Sequence, residues 1–78
     1  MRFDPIDLDV IRTLSAYRHG ISYFGLYVEL EPAASQGRIR EAVERLSAMT
    51  VPLVSIEGDV VQLTGAGRAL ARELLREP

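Results

Sequence analysis

The sequence predicts a mainly α-helical domain carrying one short β-hairpin, on three observations. Apolar residues recur at spacings of three and four in "PIDLDVIRTL", "SQGRIREAVERLSAM" and "TGAGRALARELL", the period of a helix with one buried face. Between the last two lies "LVSIEGDVVQL", where apolar and polar residues alternate on either side of Gly58-Asp59, as in a tight hairpin. The chain has 78 residues and no cysteine, so one small core must hold it without disulfides or thiolate-bound metal.

The first helix is expected to start at Pro5, whose fixed φ suits the first helical position, with Asp4 as its cap and Asp7 and Asp9 near the positive end of the helix dipole. Ile6, Val10, Leu14 and Tyr17 share one face with Ile11 beside them, and Gly20 is the expected left-handed residue that closes the helix. His19, the one histidine, falls near that end, where it is expected to stabilise the helix terminus and not to act as a base or metal ligand.

The second segment, "ISYFGLYVELEP", reads two ways. Its Tyr, Phe and Val residues favour a strand, while Ser22 as a cap and the distance to Pro32 allow a helix of about two turns. As a helix it would be apolar around most of its circumference, which leaves Tyr23, Phe24 and Tyr27 to face a partner.

The third segment is the plainest helix. Ser35 caps it, Ile39, Ala42, Val43 and Leu46 form the buried stripe, and Gly37, Arg40, Glu41, Glu44 and Ala48 face outward with Arg38 and Arg45 along one edge. Arg40 with Glu44 and Glu41 with Arg45 stand four residues apart, at ion-pairing distance along a helix.

In the hairpin, a two-residue turn with glycine first places Ile56 opposite Val61 and Val54 opposite Leu63 on one face, leaving Ser55, Glu57 and Gln62 on the other. Thr64 then caps a last helix whose stripe is Ala66, Leu70 and Leu74, flanked by Ala71 and Leu75.

The order helix, short helix, helix, hairpin, helix resembles the winged helix-turn-helix domain of bacterial and archaeal regulators such as the MarR and PadR families. "VVQLTGAGRALARELL" looks like the "LT..G..L" signature with which those families leave the wing and enter the next helix, and "GRIREAVERLSAM" is similar to their recognition helix. The resemblance covers most of the chain as a single domain, residues 1–78. It implies a third helix that enters the major groove of double-stranded DNA and a wing on the adjacent backbone or minor groove. The residues it assigns to DNA are Ser35, Gln36, Gly37, Arg38, Arg40 and Arg45, with Arg68 near the phosphates.

Charge departs from that pattern. The hairpin tip carries Glu57 and Asp59, no arginine lies between Arg45 and Arg68, and the net charge is -2. All nine basic residues are arginine, which suits bidentate contacts to phosphate or guanine but is more cheaply explained by coding bias. Two functions therefore stand: a small transcriptional regulator reading duplex DNA as a dimer, or a winged helix used for protein contact. In either, Tyr23, Phe24, Tyr27, Leu70 and Leu74 are the expected partner surface, covered by a second copy or another protein.

Several classes fall away. With 47% hydrophobic and 26% charged residues the composition is that of an ordinary globular protein. No apolar run approaches the roughly 18 residues of a membrane span, and "MRFDPIDL" lacks the apolar core of a signal peptide, so a cytoplasmic location and no membrane partner are expected. The acidic pairs Asp7/Asp9 and Glu29/Glu31 have no histidine beside them, and "TGAGR" lacks the strand-turn pattern of a nucleotide loop. Neither an enzyme activity nor a cofactor is expected.

Overall fold

The computed structural model describes residues 3–31 and 33–76. In chain order they form α1 (Pro5–Leu14), β1 (Ile21–Ser22), α2 (Tyr23–Leu30), α3 (Gln36–Ser47), β2 (Val54–Glu57), β3 (Val60–Leu63) and α4 (Gly65–Arg76).

α1 begins where its sequence places it. Pro5 occupies the first turn behind Asp4, and the Asp7 carboxylate reaches back to accept from the Asp4 backbone N–H at 3.0 Å, closing a capping box. The far end differs from the expectation. The helix stops at Leu14 with Ser15 as its cap, while Tyr17 and His19 lie in the turns that follow, and Gly20 stands next to β1. Gly20 does have a positive φ of 89°, but the constraint is tertiary. A Cβ there would meet Val60 Cγ1 and the Val61 carbonyl oxygen at 2.8 Å each, because the chain runs hard against β3.

The ambiguous second segment divides between its two readings. Ile21 and Ser22 pair with Val61 and Val60, adding a third, two-residue strand to the hairpin in the order β1-β3-β2. From Tyr23 the chain is helical, with the Ser22 hydroxyl accepting from Gly25 N–H at 3.0 Å. The first backbone N–H of α2, that of Tyr23, donates to the carbonyl of Asp59 in the hairpin turn. The hairpin is thus fastened to the start of α2.

The hairpin has the register its alternation dictates: Val54 opposite Leu63, Ser55 opposite Gln62, Ile56 opposite Val61 and Glu57 opposite Val60. Gly58 has φ 63° and no non-glycine residue among those described has positive φ, so among two-residue turns Gly58-Asp59 follows the type II′ sign pattern and not type I′.

One core joins all the layers. Val10, Ile11, Leu14, Leu26, Ile39, Ala42, Val43, Leu46, Val54 and Val61 are sealed from solvent, with Ile6, Leu30, Leu53, Leu63 and Ala71 close behind. Ile56, expected in the core, is half-buried at its margin.

The passage from hairpin to α4 explains the "LTGAG" stretch physically. The Thr64 hydroxyl donates to the Pro52 carbonyl at 2.6 Å and accepts from Gly67 N–H at 3.1 Å, so one side chain caps α4 and ties it to the strap that leaves α3. Leu53, within that strap, donates from its N–H to Leu46 O and accepts from Thr64 N–H, both at 3.1 Å. Gly67 packs directly on Leu53. A Cβ at Gly67 would overlap the Leu53 carbonyl oxygen and stand 3.0 Å from its carbon and 3.1 Å from Leu63 Cδ2. Thr64 and Gly67 are therefore joint requirements of one contact.

Candidate nucleic-acid interface

α3 presents the surface on which the expected site residues stand. Ser35 Oγ accepts from the Arg38 backbone N–H at 3.3 Å, which starts the helix with Gln36, Gly37 and Arg38 in its first turn, all exposed. Around Gly37 the space is open, with no atom within 4 Å of a would-be Cβ. The first turn of α3 is thus unobstructed, with the positive end of the helix dipole behind it.

The three arginines of α3 stand in different surroundings. Arg38 makes no ion pair among the described residues and is exposed. The Arg40 guanidinium carbon lies over the ring of Tyr23, 4.8 Å from the ring centre. Its pKa is held above the ordinary arginine value, first by hydrogen bonding with the Tyr27 hydroxyl and then by the nearby charge of that side chain. Tyr23 and Tyr27 are themselves neighbours, with ring centres 6.0 Å apart and planes tilted by 39°.

Arg45 turns the other way, toward α1. Its Nη2 donates to Asp7 Oδ1 at 2.5 Å and lies 3.6 Å from Asp4 Oδ2. Asp7 is only 4% exposed, the one buried charged residue among those described, so Arg45 supplies the counter-charge that lets a carboxylate sit there. The Arg45 guanidinium is raised in turn, chiefly by this hydrogen bond. The pairs expected along α3, Arg40 with Glu44 and Glu41 with Arg45, do not form as ion pairs, because Tyr23 and the α1 carboxylates take the two arginines.

Arg68, expected near phosphate, stands on α4. Its Nη2 donates to the Arg18 carbonyl at 2.8 Å, and with Ser15, Leu63, Ala71, Arg72 and Leu75 it lines a groove between the end of α1 and α4. The hairpin tip is acidic and open, with Glu57 and Asp59 both exposed.

The expected partner surface is likewise divided. Phe24 is 71% exposed and Val28, one turn on, 57%, whereas Tyr23, Tyr27, Leu70 and Leu74 are half-buried against the core. The roles of Arg45 and Tyr23 were not legible from local spacing. Asp7 reads as a dipole residue until α3 is laid across α1, and the Tyr23 ring meets Arg40 only once α2 and α3 are packed.

Four helices around a sheet-bound hairpin, with the third helix exposed along one side, define a winged helix-turn-helix. No protein-family model matches the sequence, and no curated protein matches it. Among solved structures, a MarR family protein of Mycobacterium tuberculosis matches with a TM-score of 0.77 over 95% of this chain at 20% identity. The fold is therefore a MarR-like winged helix. The chain spans about half of that protein, 53% of its length. Among the described residues no helix is long and apolar enough to cross a membrane, and no group of three or more His, Cys, Asp or Glu is placed to hold a metal ion.

Proposed function

We propose that this chain is the DNA-binding module of a small transcriptional regulator, acting as a homodimer that sets two copies of α3 in successive major grooves. The observation that carries the reading is the first turn of α3: a Ser35-capped helix start with Gln36, Gly37 and Arg38 exposed and Arg38 free of any carboxylate among the described residues. Ser35, Gln36, Gly37, Arg38 and Arg40 are the contact residues. Arg45 serves by fixing α3 against α1, and Arg68 stands away from the duplex. The MarR-like fold supports the same use of α3.

A second reading, a winged helix that binds protein and not DNA, is favoured by one observation: Glu57 and Asp59 project at the tip where a DNA-binding wing meets phosphate. Titration of a labelled random duplex at about 50 mM salt, a condition that favours phosphate contacts, separates the two. The DNA reading expects binding that weakens with Arg38→Ala. A flat titration with wild type leaves the protein-contact reading in its place.

A further inference from the structure

The contact between Arg40 and Tyr23 joins two helices on the side of the molecule assigned above to DNA, and an ion-pairing account of Arg40 does not explain it. Two carboxylates share its helix face, Glu41 and Glu44, yet the guanidinium lies over the Tyr23 ring at 4.8 Å. The ring face attracts the guanidinium, and no carboxylate among the described residues pairs with its N–H groups. Arg40 is thus held over the Tyr23 ring with N–H donors of its planar guanidinium still available to a ligand.

The ring is itself fixed. The Tyr23 backbone N–H is bound by the Asp59 carbonyl, the residue before it is pinned to β3, and Tyr27 packs one turn further along α2. The hairpin, α2 and Arg40 thus form a connected chain of contacts. A free arginine side chain carries about 2 kcal/mol of rotamer entropy, much of which a stacked one has already lost before a ligand arrives. A planar, immobilised two-donor fork matches a planar pair of acceptors, and guanine presents that pair, O6 and N7, in the major groove. A phosphate would be served equally well by a mobile side chain.

Resting on the DNA-binding reading above, we infer that Arg40 is the base-reading arginine of α3, specifying guanine, and that Tyr23 is its positioning residue. Arg38, which has no such support, contacts phosphate.

The test begins by selecting the preferred site of wild type from a pool of duplexes with randomised sequence. Affinities are then measured for duplexes carrying each of the four bases at the selected positions. Wild type is expected to prefer guanine at one position of each half-site by about 5- to 150-fold, the range of one good bidentate contact. Arg40→Ala abolishes the preference at that position alone. Tyr23→Leu reduces it several-fold with the salt dependence unchanged, while Tyr23→Phe, which keeps an aromatic face, retains it. Circular dichroism of Tyr23→Leu establishes that the fold survives.

Three results overturn the inference. In one, the guanine preference is the same in Tyr23→Leu as in wild type. In another, Arg40→Ala weakens every duplex equally, the behaviour of a phosphate contact. In the third, wild type selects sites with no guanine that depends on Arg40. If wild type retains no duplex at all, the DNA-binding reading fails and the inference falls with it, a result distinct from the other three.

Discussion

Replacing Gly67 with alanine should destabilise the domain although alanine is the better helix former. The added methyl would overlap the Leu53 carbonyl oxygen and crowd its carbon at 3.0 Å and Leu63 Cδ2 at 3.1 Å. The obstruction is backbone, so no rotamer change relieves it, and α4 must move away from the strap. That movement strains the Thr64 N–H to Leu53 O bond and the Thr64 cap, both of which depend on the same approach. Overpacking of a tight contact costs about 1–3 kcal/mol and a backbone hydrogen bond about 1, against a helix-propensity gain of up to about 1. The net is a loss of about 2 kcal/mol. In a domain of this size each kcal/mol moves Tm by about 4–8 °C, so thermal unfolding should shift down by roughly 8–16 °C. Gly37→Ala is the matched control: it too is helical and has nothing within 4 Å, so it should raise Tm by a few degrees, the effect of about 0.5–1 kcal/mol. A Gly67→Ala protein as stable as wild type would refute the claim that the close approach, and not the turn, requires glycine.

Arg45→Met should lower stability by about 1–3 kcal/mol in urea titration, because it leaves the buried Asp7 carboxylate with only the Asp4 N–H; unchanged stability would mean that the α1–α3 clamp contributes nothing. Thr64→Val removes both hydroxyl hydrogen bonds and should cost about 1–2 kcal/mol by the same measurement. Burial is the main cause that raises the Tyr23 pKa above its ordinary 10.0, with Arg40 opposing it and Glu44 and Tyr27 adding to it. The folded state therefore favours the neutral phenol, and this contribution is complete below pH 10 and lost as pH rises through the folded pKa. The urea midpoint should accordingly fall more steeply above that pH in wild type than in Tyr23→Phe. Phe24 and Val28 are the exposed apolar pair on α2, so light scattering at micromolar concentration should report a dimer for wild type and a smaller mass for a Phe24→Ser, Val28→Ser variant. An equal mass for both would remove α2 from the interface.

The parts of the fold legible in the sequence are those governed by local rules. Capping at Asp4, Ser35 and Thr64, the buried stripe of α3 and the hairpin register about Gly58-Asp59 all follow from the order of neighbouring residues. The second segment was ambiguous because both readings hold: two residues pair as a strand and the next eight are helical, with Ser22 serving both. What local order could not supply was which side chain meets which across elements. Arg45 and Asp7 are 38 residues apart, and the partners expected for Arg40 and Arg45 on their own helix lost to Tyr23 and to the α1 carboxylates. The end of α1 was misplaced for the same reason, since Gly20 serves the approach to β3 and not a helix cap.

Salt dependence of duplex binding, compared between wild type and the Glu57→Gln, Asp59→Asn double variant, tests the placement of α3 on DNA most directly. Each phosphate neutralised contributes about -0.9 to the slope of log K against log salt concentration, so three or more contacts give about -2.7 or steeper. In the docked pose the acidic hairpin tip lies near the backbone, and removing its two charges should tighten binding to every duplex without changing which sequence is preferred. Flat titrations for both proteins, or a double variant that binds no better than a steeply salt-dependent wild type, would contradict this account of how the domain meets DNA.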